Sequence, residues 1–557
     1  MIDPFAIVRA IATLAAAIVL GSGVLVWCTR DAMAPAGGSV WRRRIVLLVL
    51  AAAFVGAVAT GLGAVGAAAD AAGIARFSVN GSTIGTFLFK TGVGRIAIIE
   101  IGYAVAACIP AVIAWVTLKK SPISDLGLLS AAVIAGLGLA TFPFNSHPVT
   151  LDQQIAGLSA SIAHRLALGV WLGGLPALIL LIGAGPVPDD TRRLAAVILR
   201  RFSRLAIVAM SVILVSGTLL TWFLVGNVPG IIGTEYGRLL ILKLTLLGGI
   251  FVIAGGLQRH LLPMLEVKPS DPTFRSYANR VKLETVVAVL IVVVASDMAG
   301  LAPPEHENIV WPLPFRLSFA ATWAIPGVPT RFIGGHVLIL LGLAALAFSL
   351  MPSLRPAWFR LRATTGLGAG VAAALVGGAI AFPAISVQAF PDTYLATDIP
   401  FAATSITAGL KHYEDNCTGC HGVSGHGDGP VAASLPIKPA DLSAPHTALH
   451  TGGDLYWWVT HGITGSPMPG FGDVLTDDER WDIINFLGAF SIGYQARIIE
   501  PKINPGQYWL APPDFQVTDE TGNTFILSDY RTQSALLVVL FSCTQENVAQ
   551  ETARLEQ

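Results

Sequence analysis

Apolar runs about 20 residues long, each closed by a short polar stretch, fill the chain from its beginning to about residue 386 and then stop. We read about ten of them as membrane-spanning helices, at residues 5–28, 45–69, 94–117, 124–144, 155–184, 204–226, 236–258, 282–302, 331–352 and 365–386. Basic residues collect at every second connection: Arg42 to Arg44, Lys119 and Lys120, Arg192 to Arg201, Arg259 to Arg280, and Arg355 to Arg362. The positive-inside rule puts those connections in the cytoplasm, so both termini and everything after about residue 387 lie outside. Parity argues against reading the first span as a cleaved signal peptide, because its loss would move the far end of the chain to the cytoplasm.

Composition narrows the class. Of 557 residues 54% are hydrophobic and only 13% charged, with mean hydropathy +0.67, which excludes a soluble enzyme and makes the lipid bilayer the first partner. Lys and Arg number 35 against 35 acidic residues, leaving no excess charge for nucleic acid. The 58 glycines suit close helix packing in lipid. No nucleophile and base pair stands out, so transport or electron transfer is expected rather than catalytic turnover.

The third and seventh spans share a pattern. Thr91, Gly94, Arg95 and Glu100 reappear 143 positions later as Thr234, Gly237, Arg238 and Lys243. Pro followed by His recurs after the fourth and eighth spans, in Pro143 to His147 and Pro303 to His306. The pattern predicts a four-plus-four duplication with two extra helices leading to a soluble domain.

Beyond residue 400 the composition becomes that of a soluble domain, which holds Cys417-Thr-Gly-Cys420-His421, the c-type haem attachment signature. Two thiols one helical turn apart can add to the two vinyl groups, and the next residue offers its imidazole to the iron. Met468, in the Pro-bracketed loop Ser466-Pro-Met-Pro-Gly, is the candidate second axial ligand. Zinc held by Cys417 and Cys420 with His421, His426 or His461 would want a second Cys pair, which the region lacks.

Residues 402–495 resemble the single-haem cytochrome c family in the helix ending at Cys417, the Gly425-to-Pro430 loop, the Pro-Met-Pro motif and the closing helix from Thr476 to Phe490. The resemblance implies one covalent haem c on Cys417 and Cys420, with His421 proximal and Met468 distal. Trp481 and Phe486 are then packing residues, and His426, His446, His450 and His461 surface or loop residues.

Ionisable groups inside spans are costly and usually functional. The chief examples are Arg95, Glu100, His164, Arg165, Arg238, Lys243, Asp297 and His336, with Glu100 and Lys243 expected as a buried pair. The runs His164-Arg165 to Gly174, Arg201 to Leu205, Ser216-Gly217 and Tyr236 to Lys243 resemble the copper resistance protein D family. That resemblance implies an inner-membrane protein handling copper. Soft ligands in the spans are few: Met210, Met298, Met351, Cys28 and Cys108. Candidate copper ligands are His147, His164 and His306, with Asp297 and Met298 beside them. The alternative is an electron conduit in which His164 and His336 hold a b-type haem, or a quinone feeds the c-haem, without copper transport.

Residues 511–557 resemble the opening of a thioredoxin-like domain, with Cys543 but Glu546 where its partner cysteine would stand. The expected fold is thus an all-α polytopic helix bundle (1–302), two further spans (303–390), a small α-helical class I cytochrome c domain (400–495) and an incomplete α/β tail (511–557). The expected function is copper transport or resistance at the inner membrane, with a periplasmic cytochrome passing single electrons to a periplasmic redox partner.

Overall fold

The computed structural model describes all residues except 1–2, 33–35, 76–77, 146–153, 184–188, 268–269, 305–306, 351–362, 499–515, 519–522 and 527–557. Two units divide it, Met1–Ile309 and Val310–Gln557.

The first unit is helical: α1 (Pro4–Thr29), α2 (Ala36–Ala72), α3 (Gly81–Lys90), α4 (Gly92–Val116), α5 (Ser121–Thr141), α6 (Gln154–Ile182), α7 (Asp189–Val225), α8 (Val228–Gly233), α9 (Glu235–Gly256), α10 (Leu262–Val267) and α11 (Asp271–Met298). A π-helical turn at Leu257–Leu261 joins α9 to α10. Among the described residues of the whole chain nine helices are long and apolar enough to cross a membrane. The tenth expected span is α11, which forms at 28 residues but carries Lys282, Glu284 and Asp297 in its last 18.

Small residues set the packing around α1, which touches α2, α5, α6 and α11. A Cβ on Gly173 would lie 1.6 Å from the Ala17 carbonyl oxygen, and one on Gly21 2.5 Å from the Gly173 carbonyl carbon, so α1 and α6 meet backbone to backbone. Ser22 donates to the Gly173 carbonyl at 3.1 Å across the same seam. Arg42 and Asp125, both buried, form an ion pair at 2.8 Å, and Trp41 donates to the Ala177 carbonyl.

The internal repeat has a structural counterpart. Thr91 ends α3 and caps α4, its hydroxyl accepting from Gly94 N at 2.9 Å; Thr234 ends α8 and caps α9, accepting from Gly237 N at 3.0 Å. A Cβ at Gly94 or Gly237 would fall 1.9 Å from the Phe87 oxygen or 2.2 Å from the Ile231 oxygen. Asn80 and Asn227 cap the preceding short helices in the same way. A short helix, a threonine corner and a spanning helix therefore occur twice.

The second unit contains β1 (Phe315–Leu317), α12 (Phe319–Thr322), α13 (Val328–Leu350), α14 (Ala363–Ala384), β2 (Ser386–Gln388), α15 (Ala403–Asn416), α16 (Thr418–His421), α17 (Gly452–His461), α18 (Asp477–Ile498), β3 (Gln516–Thr518) and β4 (Thr524–Ile526). Helices α13 and α14 zip together on glycines: added Cβ atoms at Gly335 and Gly377 would each lie within 2.6 Å of the other's carbonyl oxygen, and the same closeness recurs one heptad along at Gly342 and Gly370. Strands β1 and β2 pair antiparallel at the end of this hairpin, with Arg316 opposite Val387.

Arg316 anchors the cytochrome segment to the hairpin. Its guanidinium, 8% exposed, meets the Asp454 carboxylate, 2% exposed, at 3.0 Å, and donates to the Leu449 carbonyl. The Asp454 carboxylate also accepts from Thr393 Oγ1 at 2.6 Å and closes the capping box that starts α17. Helices α15 and α18 cross at Gly409, where a Cβ would lie 2.0 Å from the Asp482 oxygen. Their core is Tyr413, Leu475, Ile483, Phe486 and Leu487. Trp481 stacks on Tyr456, as expected of a packing residue. In the tail, the described part is the β3–β4 hairpin; Cys543 and Glu546 lie outside the described residues, and a thioredoxin-like domain is not shown.

Candidate functional site

The haem motif sits where α15 ends. The amide of Cys417 closes on Tyr413, and those of Cys420 and His421 both return to the Cys417 carbonyl, so the two thiols and the imidazole share one turn of helix. All three residues are half-buried. His421 Nδ1 lies 3.0 Å from the Ala440 carbonyl oxygen, which only accepts; Nδ1 therefore carries the hydrogen and Nε2 keeps a free lone pair, as an iron ligand requires. Burial lowers the His421 pKa and keeps the ring neutral. The same burial pushes the Cys417 thiol up to about 11, a titration that thioether formation removes.

The loop that carries Ala440 into place needs glycine. Gly425 and Gly427 have φ of 70° and 68°, and the amides of Gly427 and Gly429 bond to the carbonyls of His421 and Cys420. Met468 is half-buried in the loop after α17, its amide donating to Ser466 Oγ and its carbonyl accepting from Ile463. Gly462, at φ 74°, turns the chain there; a Cβ on it would lie 2.6 Å from the Met468 oxygen. The donor set fits a covalent haem: two thiols in one turn, one tautomerically fixed imidazole and one half-buried thioether. The other histidines find other partners. His426 bonds Ser443 and Asp441, His461 packs on Trp457, and His446 and His450 stack edge to face.

In the membrane unit, a cavity of about 610 Å³ is lined by residues of α1, α6, α7, α9 and α11. His164 and Arg165 reach it from α6, Lys243 and Tyr236 from α9, Arg9 from α1 and Met298 from α11. The Ser216 hydroxyl donates to the Val212 carbonyl at 2.5 Å, so His164 Nδ1, 3.0 Å from Ser216 Oγ, must be the donor of that contact. In the neutral imidazole Nε2 is then an unprotonated acceptor. The ring lies beside Gly217, where a Cβ would sit 3.3 Å from Cε1.

Three of the predicted intramembrane groups line the cavity, and a fourth, Glu100, neighbours Arg165, a different pairing from the one expected. Arg165 interacts electrostatically with Glu100, and also with Lys243 and His164; Glu100 accepts from Asn145 and forms no ion pair with Lys243 among the described residues. Of the soft ligands Met298 alone among the described residues lines the cavity; Met210 packs in the helical core, and Met351 lies outside the described residues. His147 and His306 also lie outside the described residues, and Asp297 accepts from the Asp3 amide. No cluster of three or more His, Cys, Asp or Glu side chains occurs among the described residues. His336 belongs to the second unit, where its Nδ1 faces the Phe332 carbonyl one turn back on α13. Two groups were missed in sequence: Arg9, and Glu284, which is buried and accepts from Trp171 at 3.2 Å. Both are ionisable residues inside predicted spans, so the same criterion finds them.

Comparison with known proteins agrees with this division. Residues 1–154 match the N-terminal domain of copper resistance protein D-like proteins, 196–297 match copper resistance protein D, and 406–490 match cytochrome c. The chain thus joins segments that match copper resistance protein D to one that matches cytochrome c. It is an integral multi-pass membrane protein whose cytochrome c domain carries covalent haem c. Ser216, Tyr236 and Lys243 fall within a matched segment, whereas His164 lies between the two.

Copper transport protein CutJ of Bacillus subtilis (strain 168) is 28% identical over 39% of this chain, and Copper resistance protein D of Pseudomonas syringae pv. tomato is 27% identical over 33%. The matches span only 38% and 61% of those relatives' own lengths. A solved Kuenenia stuttgartiensis reducing HAO-like protein complex is 32% identical over 22% of this chain and 60% of its own, at a TM-score of 0.16.

Proposed function

We propose that this protein handles copper at the bacterial inner membrane and carries a periplasmic c-type cytochrome that exchanges single electrons with a soluble redox partner. The observation that carries the copper half is His164, an imidazole held with Nε2 unprotonated at a cavity inside the membrane, in a chain whose flanking segments match copper resistance protein D. His147 and His306 are the further candidate ligands, on the outward connections. Copper is cargo here, and Met298 is the soft ligand that shares the cavity with His164.

Cys417 and Cys420 form the haem thioethers in this reading, His421 gives the proximal nitrogen and Met468 the distal sulfur. Bound haem supplies one-electron chemistry. The protein's part is to fix the His421 ring through Ala440 and to exclude water with the Tyr413, Phe486 and Leu487 core. Basic connections on alternate sides support a periplasmic cytochrome domain, which protease added to spheroplasts would reach.

Two substitutions test the halves separately. His164→Ala in the full chain should abolish the change in cellular copper accumulation that expression of the wild type causes; an unchanged level would remove His164 and weaken the copper reading. Met468→Ala should lower the haem reduction potential, because a thioether ligand raises it. An unaltered potential would exclude Met468 as the ligand.

A further inference from the structure

We infer that the membrane cavity is a binding site for an organic anion with an apolar body. Among the described residues three cations line it, Arg9, Arg165 and Lys243, and no Asp or Glu does. Arg9 has Asp3 at 3.8 Å and Arg165 has Glu100 as electrostatic neighbour, but Lys243 forms no hydrogen bond or ion pair with any described residue. Arg9 Nε is buried and also makes no hydrogen bond. An ammonium without a counter-ion is costly in a bilayer, and here the charge that acts on it, the Arg165 guanidinium, is of like sign.

The remaining wall is aliphatic and aromatic, including Leu168, Leu240, Leu247, Ile291 and Trp222. A space of about 610 Å³ is far larger than a simple inorganic anion needs and within the range of pockets that enclose ring-bearing molecules. The complement to such a site is one negatively charged head against Lys243 and Arg165 with a hydrocarbon or aromatic body along the helices. A bare copper ion is poorly matched to these cations, since like charges repel strongly at low dielectric. Copper passing this way would travel with anionic ligands. The anion site stands without the copper reading, because it uses only the charges and the cavity.

The test uses the purified full chain in zwitterionic lipid nanodiscs and two probes sharing one ring system. 1-Anilinonaphthalene-8-sulfonate carries a sulfonate; N-phenyl-1-naphthylamine does not. Trp171 and Trp222 line the cavity, so energy transfer from tryptophan reports occupancy above the empty-nanodisc signal. The sulfonate probe should saturate and bind at least about tenfold more tightly than the neutral one. Lys243→Met should remove that preference, and Lys243→Arg should retain it. Equal affinity of the two probes for the wild type, a measurement independent of any variant's folding, overturns the inference. So does a Lys243→Met protein that keeps the full preference. A failed copper result at His164 with an intact sulfonate preference would sink the copper reading alone.

Discussion

Arg316→Met should release the cytochrome segment from the membrane hairpin. The substitution keeps much of the side chain's length and removes its charge, leaving the Asp454 carboxylate at 2% exposure with Thr393 and the Thr451 amide as its remaining donors. Removing one partner of a buried ion pair costs roughly 3–5 kcal/mol, which is about two to four orders of magnitude in an opening equilibrium. The lower end applies here, because the Thr393 hydroxyl still bonds Asp454 at 2.6 Å. Pulse proteolysis at residues 389–402, which join β2 to α15, reads that opening directly. Asp454→Asn should cost less, since an amide keeps the capping geometry, and Arg316→Met with Asp454→Leu should recover part of the loss by removing both charges. A double-mutant cycle gives the coupling, expected at about 1–3 kcal/mol. Coupling near zero, or cleavage of Arg316→Met at the wild-type rate, would show that the pair does not hold the segment.

Other predictions follow from local geometry. Gly409→Val should part α15 from α18, at a cost of at least about 1–3 kcal/mol and with reduced haem incorporation read from the Soret band. Thr91→Val and Thr234→Val should each cost about 1 kcal/mol in thermal stability as one cap is lost; very different costs would argue that the two corners are not equivalent. The Ser443 hydroxyl and amide, and then His426, hold the Asp441 pKa below the usual carboxylate range. A depressed carboxylate stabilises fully above its unfolded pKa and loses that contribution as pH falls through the folded value. Ser443→Ala should therefore move acid loss of the native haem spectrum to higher pH, and an unmoved midpoint would exclude Asp441 from that transition.

Most of the architecture was legible because lipid imposes a simple code. Every expected span overlaps a helix, although α2, α7 and α11 begin about two to four turns earlier than expected, and the haem motif, the Pro-Met-Pro loop and the closing helix are contiguous signals. Side-chain pairings were harder to read. Arg42 counted as a loop cation for orientation, yet it is buried against Asp125, a contact between residues 83 positions apart. Glu100 and Lys243 suggested a pair because they occupy equivalent repeat positions, but Arg165 enters from α6 and takes Glu100 as its neighbour. The Arg316–Asp454 bond escaped because Arg316 lies in a three-residue strand with no motif around it. Such contacts depend on which helix faces which, and periodicity carries no information about that.

The glycine seam between α1 and α6 gives the membrane unit a fixed post. Two backbones in contact have one register, since sliding by a turn would drive Ala17 or Leu20 into the opposing chain. The best apolar stretch of α1 is 61% buried, that of α7 22% and that of α9 11%. Helices α7 and α9, which both contribute to the cavity wall, are covered less. His164 is carried by the post and Lys243 by the little-covered α9, so the cavity joins a lone pair fixed by backbone contact to an ammonium on a helix with few neighbours.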